Sequence, residues 1–245
     1  MRKVGASQEE TLCRCVSRRQ VRAFLALAWL VNGLLLVGNL MLAAGWKPPL
    51  NTIAHQINLD HEAVFGSWYP SALLLALGWV ALLQFAAGRG WWTARFGWLA
   101  LALLATALSA SEVSQFHEIL GRSFKSHVGG TLLGMRTQWP IVLSPFILLS
   151  VVTLVAFVRQ ELARVPAAAR LALLGLACWL VAIVLELHDA PALLTPEMRL
   201  IHALEVTIEE VSEMVGATLL LTAALRFGFA TSKGGSPGAC GEGAE

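Results

Sequence analysis

Four glutamates near the start of the last long apolar segment are the chain's most prominent candidates for chemistry. Glu205, Glu209, Glu210 and Glu213 are followed within two turns by the run TLLLTAAL. On a helix, His202, Glu205, Glu209 and Glu213 follow the spacing i, i+3, i+7 and i+11, which forms one narrow stripe. Glu210 is rotated by about 100° from Glu209 and is predicted to face a different neighbour. Acids on one stripe of an apolar helix indicate a cation or proton site.

Further acids and histidines are predicted to reach the same edge of the membrane. Some of them lie at the ends of the third and fifth apolar segments, and others lie just before the second. When residues are counted from the basic end of each segment, these acids and histidines all reach a similar depth in the membrane. Imidazoles and carboxylates from several helices are typical ligands of Zn, Mn and Fe. The sequence therefore predicts a divalent metal site (Zn, Fe or Mn), with the metal as Lewis acid or redox centre. The predicted ligands are Glu62, Glu112, His117, Glu118, His188, Glu205, Glu209 and Glu213.

The spacing of these residues matches no standard ligand template. Di-metal bundles use Glu-x-x-His pairs, whereas this chain has the reverse order, His202-x-x-Glu205. Glu112 and His117 are five residues apart and do not share a face of an ideal helix. We therefore expect a bend or a helix end before His117 if both side chains belong to one site. The identity of any catalytic residue or substrate stays open.

Three other interpretations of the acids remain. The positive end of the last helix stabilises acids by about 0.3–1 kcal/mol each, which accounts for the glutamates at the membrane edge. Glu112 and Glu213 lie deeper and suit a proton or cation path, as in a small coupled transporter. The scarcity of polar residues on the other side of the membrane argues against transport. A non-catalytic subunit that docks a partner is the third alternative, and Arg136 and Arg199 are candidates to pair with the acids.

The composition indicates a membrane protein. Of 245 residues, 56% are hydrophobic and 14% are charged, whereas soluble domains carry roughly 25% charged residues. Six apolar segments are long enough to cross a core of about 30 Å, which takes about 20 helical residues. Only helices satisfy their own backbone groups there without closing a barrel. The predicted fold is an all-α bundle with spans at Val21–Ala44, Trp68–Ala87, Phe96–Phe116, Pro140–Val158, Arg170–His188 and His202–Phe227.

The distribution of Lys and Arg predicts the orientation of the bundle. Basic residues are most abundant in both termini and in alternate loops, which places both termini in the cytoplasm. Residues 1–20 are then a basic cytoplasmic leader, 21–227 the transmembrane domain, and 228–245 a disordered Gly-rich tail. The lipid bilayer is the expected partner. No basic patch suits nucleic acid, and a homo-oligomer or a membrane partner is left open.

Three stretches together resemble a group of uncharacterised bacterial polytopic inner-membrane proteins. The stretches are LDHEAVFGSWYPSALLL, SEVSQFHEIL and LEVTIEEVSEMVGATLLL. The group's pattern has an L-D-x-E stretch before an apolar helix, Asp-Glu and then His-Glu at the end of a later one, and E-E-x-x-E-M-x-G in the last. Ser111 stands where that pattern has Asp. The resemblance implies a multi-pass protein of the bacterial inner membrane and no particular activity. The matching residues are Asp60, Glu62, Trp68, Glu112, His117, Glu118, Glu209, Glu210, Glu213, Met214 and Gly216.

Overall fold

The computed structural model describes residues 17–59, 61, 64–88, 92–128, 138–188 and 196–232, without the side chains of 188, 196–200 and 232. Within these ranges the chain forms helices and connecting turns, and no strand occurs among them. A short 3-10 turn at Leu162–Arg164 joins α7 to α8. The helices are α1 (Arg18–Ala43), α2 (Asn51–Ile57), α3 (Phe65–Ala86), α4 (Trp92–Ser114), α5 (Phe116–Val128), α6 (Trp139–Val142), α7 (Ser144–Gln160), α8 (Pro166–His188) and α9 (Pro196–Ser232).

Six of these elements are long and apolar enough to cross a membrane, so the predicted six-span, all-α fold is confirmed. Each observed span lies within a few residues of its predicted bounds, although the fourth continues past Val158 through the 3-10 turn. The chain is therefore a multi-pass membrane protein. The spans are Arg18–Ala43, Phe65–Ala86, Trp92–Ser114, Ser144–Arg164, Pro166–Leu187 and Ile201–Thr231.

Both predicted terminal segments need adjustment where the structure describes them. Helix α1 begins at Arg18, inside the predicted leader, because Ser17 caps it: the Ser17 Oγ accepts from the Gln20 N–H at 3.2 Å. Helix α9 continues to Ser232 rather than ending at Phe227. The rest of the predicted leader and tail, residues 1–16 and 233–245, lies outside the described ranges.

Helix α9 occupies the centre of the bundle and packs along α8, α3 and α1. Its central residues are small or flexible, and Met214, Ala217 and Thr218 are fully buried. Small residues allow membrane helices to approach closely, which maximises their van der Waals contact. In the other half of the bundle, Trp98 packs its ring edge-on against Phe157, with the centroids 4.9 Å apart. The core is therefore continuous from α9 to α4 and α7.

Two buried asparagines join α1 to α9. Asn39 donates from Nδ2 to the Thr207 Oγ1 at 2.7 Å and accepts from the Leu59 N–H at 3.1 Å. Asn32 donates from Nδ2 to the Thr218 Oγ1 at 3.1 Å, while its Oδ1 atom is buried without a hydrogen-bond partner. These contacts agree with the seven-residue spacing of the two asparagines, which places them on one helix face.

The two asparagines are expected to differ in their contribution to stability. Asn39→Leu removes two hydrogen bonds and leaves the buried Leu59 N–H unpaired, which costs about 1–3 kcal/mol. Asn32→Leu removes one interhelical bond, worth about 0.6 kcal/mol in a membrane bundle, and also removes an unsatisfied carbonyl. Thermal unfolding in detergent should therefore show a larger loss for Asn39→Leu. An equal loss for both variants would contradict this assignment.

Candidate functional site

The acid end of the bundle is the end at which α4 and α8 finish and α9 begins. Helix α4 ends at Ser114, and α5 starts only two residues later at Phe116. Between them Gln115 has φ +54°, which is uncommon for a residue other than glycine and redirects the chain. The expected helix end before His117 is therefore confirmed. This break allows Glu112 and His117 to contribute to one site although they do not share a helix face.

His117 connects α5 to its neighbours. Its Nδ1 atom lies 2.9 Å from the Ser111 Oγ, and its ring meets Trp139 edge-on with centroids 4.9 Å apart. The Trp139 Nε1–H donates in turn to the Glu186 Oε1 at 3.1 Å. Together these contacts join the ends of α4 and α8 through α5 and α6.

A glycine allows this close approach of α5 and α6. A Cβ atom added at Gly121 would lie 2.9 Å from the Trp139 backbone nitrogen and 3.2 Å from its Cβ. The absence of a side chain at Gly121 therefore sets the position of Trp139, and with it the contacts of Trp139 to His117 and Glu186.

Three carboxylates from three helices form the acid cluster, which we define as Glu112, Glu186 and Glu213. Glu112 on α4 is within electrostatic range of Glu186 on α8 and of Glu118 on α5. Glu213 on α9 interacts most strongly with Glu112 and more weakly with Glu186. All three side chains are half-buried. Like charges gathered in a poorly solvated place repel each other strongly.

The ion pairs of the described residues do not neutralise the acid cluster. Arg122 binds Glu118 one turn away on α5, at 3.4 Å, and Arg164 binds Glu161 at the opposite end of the bundle, at 3.1 Å. Neither pair includes Glu112, Glu186 or Glu213. Arg136, which the sequence suggested as a partner, lies outside the described ranges, as does the side chain of Arg199.

The structure brings together some of the predicted ligands. Glu112, His117, Glu118, Glu209 and Glu213 all lie at the acid end, within electrostatic range of members of the acid cluster.

Glu205 lies near the start of α9, where its Oε2 atom is buried without a hydrogen-bond partner. It is not among the groups that act on Glu112 or Glu213. Glu62 is outside the described residues, and His188 ends α8 with a side chain that is not described.

Among the residues that the structure describes, no group of three or more His, Cys, Asp or Glu side chains is arranged to hold a metal ion. The eight-ligand metal site therefore stays a prediction.

Glu210 also acts on Glu213, because Glu210 and Glu209 are three and four residues before Glu213 and flank it on either side. The neighbour that Glu210 faces stays a prediction. One expectation about the acids requires correction. Acids at membrane depth were expected at one edge only, but Glu161 is 3% exposed at the other end of the fourth span.

Sequence reasoning missed the contributions of Glu186 and Trp139. Glu186 was not among the predicted ligands, although its place in the last turn of an apolar helix put it at the right depth. Trp139 was not among the predicted site residues either, and only its contacts reveal the indole donor. The Ser111 Oγ contacts the His117 ring at 2.9 Å and adds no charge to the acid cluster.

His117 gives a pH-dependent contribution to stability. Burial lowers the pKa of its imidazole below the ordinary value, and the charges of Glu186 and Glu118 oppose that shift. The unfolded chain therefore binds a proton at a higher pH than the folded protein does. Stability from this residue is complete above the unfolded pKa of about 6.5 and is lost as the pH falls through the folded pKa.

Replacing His117 by glutamine should therefore flatten the fall in thermal stability below about pH 6.5. His127→Gln is the matched control, because His127 is an exposed imidazole on the same helix. Unfolding temperatures in detergent, measured over a pH series, test the difference. Parallel pH profiles for wild type and His117→Gln would contradict the assignment.

Comparison with known proteins gives one match. A family model described as Domain of unknown function (DUF8692) matches residues 23–227. The chain belongs to this family. The matched DUF8692 region runs from α1 into α9 and includes the whole acid cluster, so the cluster lies within the family's domain. No curated protein and no solved structure matches the chain.

Proposed function

We propose that the protein binds a cation at the acid cluster, as a multi-pass protein of the bacterial inner membrane with both termini in the cytoplasm. The main evidence is that Glu112, Glu186 and Glu213 converge from three helices. The ion pairs among the described residues do not neutralise them. The distribution of Lys and Arg supports the orientation. In this orientation the acid cluster faces the extracytoplasmic side.

Electrostatics explains why such a cluster needs a cation. A charged side chain at the centre of a membrane helix costs about 2.5–3.5 kcal/mol on insertion scales. Two like charges 4 Å apart repel by about 4 kcal/mol at an effective dielectric of 20. A bound positive charge offsets both terms. The Trp139 donor and the His117 imidazole supply polar contacts at the edge of the cluster without adding negative charge.

The packing of the opposite half supports a binding site that opens to one side. Trp98, Phe157, Leu162 and Ala224 are buried there. The cavity that they border is apolar and about 10 Å³ in volume, at the lower limit for one water molecule. This apolar packing favours reversible cation binding over the alternative of a transporter, and the present contacts give no specific support to a docking subunit.

Two kinds of cation can offset the negative charge of the acid cluster. A proton needs no particular ligand geometry and suits the arrangement as it stands. A divalent ion (Zn, Fe or Mn) is the second candidate, favoured by the imidazole of His117 beside the carboxylates. It would have to draw the carboxylates closer together, or recruit Glu62 and His188. Metal analysis and pH titration separate these cases.

The test compares wild type with the double variant Glu112→Gln/Glu213→Gln, purified in detergent. In the metal case, elemental analysis finds a stoichiometric ion in wild type and none in the variant, and added ion stabilises only wild type. In the proton case, neither protein holds metal, and thermal stability depends on pH more steeply in wild type. Equal metal content together with parallel pH profiles would overturn the proposal.

A further inference from the structure

Helix α5 carries three chemically different faces. With about 100° between successive residues, one face holds His117, Gly121 and Phe124, which are buried or half-buried against the protein. A second face holds Glu118, Arg122 and Lys125. The third face begins with Phe116 and Ile119, which are 58% and 49% exposed, and continues with the exposed polar residues Ser123, Ser126 and His127. A helix between protein and water alone would not need exposed apolar side chains in its first turn, so Phe116 and Ile119 require another neighbour.

The position of α5 along the chain indicates what that neighbour is. Helix α4 has 23 residues and is therefore about 34 Å long at 1.5 Å per residue, which exceeds the hydrocarbon core of about 30 Å. Helix α5 consequently begins at the membrane surface. Val113, in the last turn of α4, is 64% exposed and leads directly to Phe116 across the Gln115 turn. The apolar face of α5 continues the lipid-facing surface of α4.

We propose that the first turn of α5 lies in the membrane interface at the acid end and inserts Phe116 and Ile119 among the lipid acyl chains. In this position the polar face of Glu118, Arg122 and Lys125 points to water and headgroups, as in other interfacial amphipathic helices. The long side chains of Arg122 and Lys125 extend toward the headgroup phosphates.

This contact gives lipid a role in shaping the acid end. Helix α5 is joined to α4 by the single residue Gln115 and is held on its other side by Gly121 against Trp139. Lipid under Phe116 and Ile119 fixes the rotation of α5 about its own axis. That rotation determines whether His117 faces Trp139. The inference concerns the helix and the bilayer, and it stands whether or not the acid cluster binds a cation.

Site-directed fluorescence in lipid tests the proposal. Single cysteines replace Ile119 or Lys125 in a variant whose native cysteines are removed, and each is labelled with an environment-sensitive dye. A cysteine at Val113 provides the lipid-exposed reference. The proteins are reconstituted in phosphatidylcholine nanodiscs with and without brominated acyl chains. All three positions are exposed, so these substitutions leave the core unchanged.

The proposal predicts that brominated lipid quenches the dye at position 119 nearly as strongly as at 113, and several-fold more strongly than at 125. Equal quenching at 119 and 125, whether strong or absent, would overturn it. A blue-shifted dye at 119 without quenching would also overturn it, because it would indicate that a protein surface, such as a second copy of the chain, covers the face.

Discussion

Replacing Gly175 by alanine is expected to lower the stability of the protein by about 1–3 kcal/mol. A Cβ atom at Gly175 on α8 would lie 2.9 Å from the Gly216 carbonyl oxygen and 3.2 Å from the Leu220 backbone nitrogen, both on α9. Backbone atoms cannot rotate away as side chains do, so the two helices must separate. Thermal or denaturant unfolding in detergent measures the loss.

Gly33→Ala is the matched control for this prediction. Gly33 also lies inside a membrane-spanning helix, but a Cβ atom there meets nothing within 4 Å. Because alanine favours helix over glycine by about 1 kcal/mol, this variant should be neutral or more stable. The two substitutions thus have opposite expected signs. Similar losses for both would show that α8 and α9 are not packed as closely as described.

Replacing Glu213 by glutamine is expected to raise the stability of the metal-free protein at neutral pH, by an amount on the order of 1 kcal/mol. Most substitutions of a half-buried residue destabilise a protein. Here the substitution removes an ionisable carboxyl whose charged form is repelled by Glu112, Glu186, Glu209 and Glu210, while keeping the size and polarity of the side chain. Unfolding is measured after chelator treatment, so that no bound metal contributes.

Glu161→Gln provides a contrasting case in the same molecule. Glu161 is buried and accepts two contacts from the Arg164 guanidinium, to Oε1 at 3.3 Å and to Oε2 at 3.1 Å. Its neutralisation removes an attraction to Arg164 and also removes the cost of burying a charge, and these two effects oppose each other. Because they offset each other and the Arg164 side chain is 51% exposed, the expected change in stability is small, less than about 1 kcal/mol. A loss of stability in Glu213→Gln would show that repulsion within the acid cluster is not a significant force.

Most of the fold followed from the sequence because lipid imposes simple rules. Each span was found from about 20 apolar residues, since a bilayer tolerates few other structures. Helical periodicity is also enough to place Asn32 and Asn39, which are seven residues apart, on one face of their helix. The boundaries were less accurate where polar sequence continues a helix, as at Pro196, because α9 extends beyond the apolar segment that defines a span.

The candidate site was predictable in its location but not in its membership. Depth along each helix placed Glu112, His117 and Glu213 at one end, and the need for a helix break before His117 followed from spacing. No pattern in the sequence specified that Gln115 would take a left-handed conformation to make that break. Nor could the sequence show that Trp139 reaches Glu186, because that contact joins residues 47 positions apart through tertiary packing.

The central claim is that carboxylates from different helices share one electrostatic site. A double-mutant cycle of Glu112→Gln and Glu213→Gln, followed by unfolding in detergent without metal, tests it most directly. Each single substitution removes the same repulsion, so the double variant should gain clearly less stability than the two single gains combined. Gains that add within about 0.3–0.5 kcal/mol would show that Glu112 and Glu213 act independently, and would contradict the claim.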